Sequence, residues 1–409
     1  MRNLRWLACC TLIAGCSRGA VGALPVPANP NLEATALSRS AQYSGVPFGH
    51  RPGSEAATFK ELYVFQGPPD GANPKSDLLN VGGTLYGTTA NGGTRGYGTV
   101  FTITKSGSER VLYSFTGRPD ASIPLAGLTE LSGTLYGTTQ FGGASDNYGT
   151  VFSITPSGKE KVLHSFGNAG DGSYPEAGLI AVNGVLYGTT ATGGATGGVG
   201  TVFSITPSGK EKVLHTFYEH TYDGFGPQAP LVNLNGTLYG TTSFGSTYDD
   251  GVVFSITPAG KEKVLHAFLG SGYSDGAWPL AGLIAVNGVL YGTTAIGGVC
   301  RVERQGCGTV YSITPAGAES IVYNFPGTLN GINPQAGLLN VNGTLYGTTI
   351  NTAFKLTTSG TQTVLHRFDG SKGFEPVASL IDVGGTLYGT TQYTTVGTGT
   401  YGIVYTLAP

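Results

Sequence analysis

Apolar and polar positions alternate in short runs along the chain, and the pattern is clearest between Ala177 and Phe217. There "AGLIAV", "VLYGTTAT", "GTVFSIT" and "KEKVLHTF" follow one another, separated by Asn183-Gly184, a glycine-rich stretch and Pro207-Ser208-Gly209. Runs of this length bounded by Asn-Gly and Pro-Ser-Gly predict four antiparallel strands joined by tight turns. Leu186 and Tyr187 are adjacent in a strand and point to opposite faces, and both are large, so both faces of the sheet need cover. The small Gly188, Thr189 and Thr190 that follow predict a place where neighbouring sheets crowd toward an axis.

The unit recurs. LYGTT begins at Leu85, Leu135, Leu186, Leu238, Leu290, Leu345 and Leu387, at spacings of 50, 51, 52, 52, 55 and 42 residues. A period near 50 with four strands per unit predicts propeller blades. The last unit stops after its third strand, "YGIVYTLAP", whereas "KELYVF" at Lys60 to Phe65 matches "SERVLYSF" and "KEKVLHSF" yet precedes the first LYGTT. An all-β, seven-bladed propeller over residues 58–409 is therefore expected, with Leu62, Tyr63 and Phe65 completing the seventh blade.

Composition agrees: 68 glycines and 11% charged residues suit short strands and tight turns, and not long helices. Lys+Arg at 22 against Asp+Glu at 24 leaves no basic footprint for nucleic acid. Residues 1–15 have the form of a signal peptide, with Arg2 and Arg5 before an apolar run too short to span a bilayer. Ile13-Ala14-Gly15-Cys16 resembles a bacterial lipobox, which implies lipidation of Cys16 and, with Ser17 after it, an outer-membrane anchor as the sole membrane contact. The alternative is plain secretion or a periplasmic location, with cleavage after Ala23. Residues 16–57, rich in Pro, Ala and Ser, are expected to be a flexible tether. Cys300 and Cys307 flank an insert and are expected to pair as a disulfide in an oxidising compartment.

The succession of LYGTT, GG and GTVFSITPSG resembles the GloVer tandem repeat of bacterial surface proteins, over about residues 58–409. The resemblance implies surface display with varied anchoring signals and brings no reaction with it. Two units depart from the pattern: "LYGTTINTAFKL" loses the loop after LYGTT, and "CRVERQGC" inserts one.

His164, His215, His266 and His366 recur in VLHxF, but Tyr63, Tyr113 and Tyr323 hold the same slot, which favours packing over a shared chemical role. The connection from each fourth strand to the next blade carries Asp-Gly-x-x-Pro or a variant of it. Its aspartates, Asp120, Asp171, Asp223 and Asp275 among them, suit Asx-type turns. The competing expectation is a carboxylate ring binding a cation such as Ca²⁺ at the channel mouth; no other cofactor is expected. Just before that proline, Asn73, Ile123, Tyr174, Gly226, Trp278, Asn333 and Glu375 vary while their surroundings repeat. Variation gathers on the blade face formed by the fourth-to-first and second-to-third connections, where Trp278, Tyr174, Phe225 and Tyr248 are the candidate binding platforms. Lys-Glu-Lys at 159, 210 and 261 is expected to protect sheet edges. No phosphate loop, serine-nucleophile motif or zinc-ligand spacing is evident. The sequence therefore points to a monomeric, non-catalytic scaffold outside the cytoplasm that binds a glycan, polymer or protein. The alternative is a lyase or hydrolase acting on a carbohydrate or lactone at the axial mouth.

Overall fold

A computed structural model describes residues 57–144, 147–168, 170–219, 222–270, 275–300, 306–370, 372–394 and 401–409. The leader, Cys16 and all but the last residue of the tether lie outside the described residues. Seven sheets of four antiparallel strands form a seven-bladed β-propeller. In blade 1 the strands run Leu79–Val81, Thr84–Thr89, Thr99–Ile103 and Glu109–Ser114, from the innermost outward. Blade 7 combines Ile381–Val383, Thr386–Thr391 and Ile403–Ala408 with the N-terminal strand Thr58–Val64, which pairs antiparallel with Ile403–Ala408 and closes the ring. Among the described residues no helix is long and apolar enough to cross a membrane.

Each interface between blades has its own core. Leu186 packs with Tyr136, Phe166 and Phe203 on the blade 2 side, whereas Tyr187 packs with Phe217, Leu231 and Phe254 on the blade 4 side. This opposition of Leu and Tyr repeats around the ring, so no sheet has a face left to water. Between blades 7 and 1 the core holds Phe65, Leu85, Phe101, Tyr388 and Val404, and Phe65 is 2% exposed.

The LYGTT strand does not line the axis. It is the second strand, and the three-residue first strands approach one another around the centre. The motif's glycine serves a different contact. A methyl group at Gly87 would lie 2.5 Å from the Phe101 ring, because Phe101, opposite Gly87 in the next strand, folds across it. The same close approach recurs from Gly137 on Phe152 to Gly389 on Tyr405. Each aromatic ring so placed meets, edge to face, the phenylalanine that ends the preceding blade's outer strand: Phe65 on Phe101 at 5.1 Å, Phe115 on Phe152 at 5.1 Å, and so on to Phe368 on Tyr405 at 5.2 Å.

The first threonine of LYGTT bonds across the interface. Thr88 Oγ1 donates to the Ala126 carbonyl at 3.0 Å and Thr138 Oγ1 to that of Ala177 at 2.8 Å; Thr390 Oγ1 donates to Ser76 at 3.3 Å and so repeats the bond at the closure. A buried hydroxyl without such a partner costs about 1–3 kcal/mol, so Gly-Thr-Thr sets the docking of one blade on the next. In the second-to-third connections, Gly98 at φ 95° leaves room for Pro124 of the following linker, whose Cδ would sit 2.7 Å from an added methyl group.

Candidate functional site at the axial mouth

The linkers between blades are built on their aspartates. Asp120 Oδ2 accepts from Tyr113 Oη at 3.1 Å, from the Thr116 amide at 2.8 Å and from the Thr116 hydroxyl at 3.0 Å. Asp171 accepts from the Gly172 amide and lies 3.0 Å from His164 Nε2; Asp275 accepts from Leu269 and Gly276 and lies 3.3 Å from His266 Nε2. Asp223 lies 3.0 Å from His215 Nε2. Each carboxylate is turned into its own linker, one blade away from the next, and they do not converge at the channel mouth. Local capping accounts for the placement, since turn amides and an outer-strand His or Tyr hold the carboxylates within their own linkers. Tyr63, Tyr113, His164, His215 and His266 thus share a slot because each reaches its own linker's aspartate, whereas Tyr323 meets Gln362 and His366 stacks on Phe59.

A third group joins them from the following blade. Between Lys159 and Lys161, which are exposed, Glu160 points back into the interface, and one of its carboxyl oxygens is shielded from water without a hydrogen-bond partner. Only the lysines of Lys-Glu-Lys therefore face solvent. Burial, and then the Asp120 charge, push the Glu160 carboxyl up to about 7; burial and Asp70 do the same for Glu109. An acid whose pKa is raised from 4.5 to about 7 on folding stabilises the fold below pH 4.5 and loses that contribution as the pH climbs to 7. The chain should therefore be more stable at pH 5 than at pH 8. Glu160→Gln should gain ~1 kcal/mol at pH 8, after allowance for solvent screening, and nothing at pH 5. Denaturant unfolding at the two pH values checks this, and an equal effect at both rules out the protonation account. The ring contains its own precedent, because Gln362 holds the glutamate's position opposite Tyr323, whose hydroxyl lies 3.3 Å from Gln362 Oε1.

The variable slot before each proline has one backbone conformation throughout: φ is 56° at Asn73, 57° at Ile123, 56° at Tyr174, 66° at Gly226, 57° at Trp278, 53° at Asn333 and 54° at Glu375. Left-handed φ at Ile, Trp or Tyr costs on the order of 1–3 kcal/mol and persists only where the surroundings enforce it. Here they do. The slot amide donates to the preceding blade's second-to-third connection, as Ile123 does to Tyr97 at 2.9 Å, Tyr174 to Tyr148 at 2.7 Å and Trp278 to Asp250 at 3.0 Å. Its carbonyl accepts from the residue after LYGTT in its own blade, as from Gln140, Ala191 and Ala295. Asn, Ile, Tyr, Gly, Trp and Glu are thus all held in one rigid backbone setting.

Two residues further on, the linkers reach the axis. Lys75 in the first linker feels the charges of both Glu375, in the adjacent linker, and Glu176, two blades away. Burial lowers the Lys75 pKa and raises those of both glutamates, while their mutual attraction opposes each shift. Gln140 Nε2 donates to Glu176 Oε1 at 2.7 Å, and Gln335 Nε2 to Asn333 Oδ1 at 2.7 Å. Next to Lys75 the linkers of neighbouring blades pack closely. A side chain at Gly127 would meet the Asp77 carbonyl at 3.0 Å, and the Ser379 amide donates to Asp77 Oδ1 at 2.6 Å. An open hollow of about 610 Å³ runs along the first strands of blades 1 to 3, past Leu79, Thr129 and Ile180.

Of the four aromatic candidates, Tyr174 sits in one cluster and Phe225 and Trp278 in another. Tyr174 lies edge to face with Phe141 at 5.4 Å and with Tyr148 at 5.6 Å. Phe225 stacks on Phe244 at 5.6 Å, and Phe244 meets Trp278 at 6.4 Å. Tyr248 is 45% exposed in the blade 4 connection. Sequence reading missed Lys75, Glu176 and Glu375 as a group, because each is unremarkable within its own unit. Cys300 and Cys307 form a disulfide in the blade 5 connection.

The profile of the Gloeobacter/Verrucomicrobia repeat matches residues 21–198 and 111–302, together more than half of the chain. No curated protein matches the sequence. Among solved structures, the extracellular domain of a putative hybrid two component system from B. thetaiotaomicron is similar at a TM-score of 0.56 and 10% identity, over 86% of this chain and 40% of that one. PorZ, a bacterial surface component of the type-IX secretion system of Porphyromonas gingivalis, is similar at a TM-score of 0.51 and 15% identity, over 84% of this chain and 47% of that one. The chain spans less than half the length of either, and at these identities the likeness bears on the fold alone. With the repeat present seven times and the profile matched across most of its length, the chain belongs to the Gloeobacter/Verrucomicrobia repeat family.

Proposed function

We propose that the protein is a non-catalytic scaffold that works outside the cytoplasm and binds a glycan on its variable loop face, around the axial mouth. The observation that carries this reading is the set of seven clamped slots, alike in backbone and occupied by six residue types, with Glu375 in one of them and Lys75 and Glu176 two residues beyond two others. Rigid positions cost little ordering entropy on binding. Aromatic rings flanking amides and carboxyls suit the apolar ring faces and hydroxyls of a sugar. The Cys300–Cys307 disulfide supports an oxidising compartment, and lipidation of Cys16 would place the scaffold at the cell envelope. A glycan array probed with the full chain is expected to return a ligand whose affinity falls about tenfold or more in Trp278→Ala, with the melting temperature unchanged. Full retention of affinity in Trp278→Ala and Lys75→Ala alike would remove the mouth from consideration and favour a polymer or protein partner elsewhere on the loop face.

A second reading draws on the same trio. Lys75, Glu176 and Glu375 bring an amine and two carboxyl groups, each shifted by burial toward neutral pH, to one opening, as a carbohydrate- or lactone-acting lyase or hydrolase requires. Turnover of the captured ligand, abolished in Lys75→Ala, distinguishes this reading from simple binding.

A further inference from the structure

Among the described residues, three interfaces place histidine, aspartate and glutamate together, and in two of them the donor atoms converge. His164, Asp171 and Glu211 form one group, His266, Asp275 and Glu319 the other, and within each the three ligand atoms lie within 4.8 Å of one another. The blade 3–4 interface keeps the 3.0 Å His215–Asp223 pair but does not bring Glu262 within the same limit. We infer that these two interfaces are binding sites for a transition-metal dication, with zinc as the ion the donor set suits.

Donor chemistry and spacing both suit such an ion. Zinc accepts both imidazole nitrogen and carboxylate oxygen, and three protein donors would leave a fourth position to water, whereas calcium would call for oxygen donors throughout. Bonds of about 2.0–2.1 Å to tetrahedral zinc place neighbouring ligands ~3.3 Å apart. The His266 and Asp275 atoms stand at 3.3 Å, and those of His164 and Asp171 at 3.0 Å. The second oxygen of each aspartate is already fixed by a backbone amide, from Gly172 at 2.8 Å and from Gly276 at 2.7 Å, which orients the ligand as outer-shell partners do in metal sites. In both interfaces one glutamate oxygen, Glu211 Oε1 or Glu319 Oε1, is sealed from solvent without a hydrogen-bond partner, as are those of Glu109, Glu160 and Glu262, and these two are set apart by their convergence with a histidine and an aspartate. A dication supplies what that oxygen lacks and offsets two carboxylate charges. The side chains of His164 and His266 keep 16% and 20% of their surface, so an ion can reach them.

The repeat provides the control. Tyr63, Tyr113 and Tyr323 occupy the histidine's position in other interfaces, and Tyr113 reaches its aspartate directly. His164→Tyr and His266→Tyr should therefore fold while losing the imidazole donor. The full chain is stripped with a chelator, dialysed against zinc chloride or calcium chloride, and analysed for bound metal by mass spectrometry, with thermal melts in parallel. The wild type is expected to retain two zinc ions more than the double variant and one more than either single variant, and to gain thermal stability on zinc addition that the double variant does not show. Zinc retention and melting shifts equal in wild type and double variant overturn the inference. Site-dependent uptake of calcium in place of zinc overturns it equally.

Discussion

A chain from which residues 58–65 are excised is expected to lose its cooperative native state or to melt about 8 °C or more below the intact protein. The excised segment is the outer strand of blade 7, paired from Thr58 with Ala408 to Val64 with Ile403. Its removal leaves the ladder groups of Ile403–Ala408 unpaired and uncovers Tyr405 and Leu407, which are fully buried in the closed ring. Phe65 leaves its contact with Phe101, a loss of ~3–5 kcal/mol by itself, and Tyr63 ceases to donate to Asp70 at 2.9 Å. Domains are stable by only about 5–15 kcal/mol in total, and in a domain of this size each kcal/mol moves the midpoint by ~1.5 °C. Calorimetry of the excised and intact chains checks the expectation, and a synthetic peptide of residues 58–67 added in trans should restore part of the loss. A midpoint within 2 °C of the intact protein, in the absence of peptide, would mean that ring closure resides elsewhere.

Phe115→Ala is expected to cost ~3–5 kcal/mol, since the ring is fully buried and packs on Phe152 at 5.1 Å across the blade 1–2 interface. Its partner is positioned by a glycine. At Gly137 an added methyl group would stand 2.6 Å from Phe152 Cζ, so Gly137→Ala should cost ~1–3 kcal/mol by forcing the ring out of its place over the strand. In a Phe152→Leu background the shorter side chain leaves room, and the cost of Gly137→Ala should fall by ~0.5 kcal/mol or more. Urea unfolding of the four chains of this cycle measures the coupling. Strict additivity would show that the glycine is present for some other reason than the ring it faces.

Both expectations concern contacts between blades, and there sequence and structure divide. The opposition of Leu186 and Tyr187 was legible because a strand alternates by geometry, whatever surrounds it. Closure by Lys60–Phe65 was legible because a repeat exposes its own missing member. The role of Gly188 was not: a small residue says that something approaches, and only the register of the neighbouring strand identifies it as the Phe203 ring. The VLHxF slot and the Asp-Gly linker each stood out, yet their meeting at 3.0 Å depends on the turn that folds one back upon the other. Glu211 enters from the next blade, some forty residues away, and within its own unit it has the appearance of an exposed edge charge.

The mouth shows the same limit more strongly. Lys75, Glu176 and Glu375 belong to three linkers, and no local pattern connects them. The slot before the proline was marked by its variability, whereas its left-handed backbone, held between two blades by hydrogen bonds, belongs to the assembled ring.

By itself, then, the sequence determined the strand pattern, the turns, the blade count and the closure, all of which follow from periodicity and from contacts a unit makes with copies of itself. The tertiary structure alone decided which strand lines the axis, where each aspartate turns, and which charged groups share a mouth. Those outcomes depend on residues that differ from blade to blade and meet only when seven sheets close around one axis.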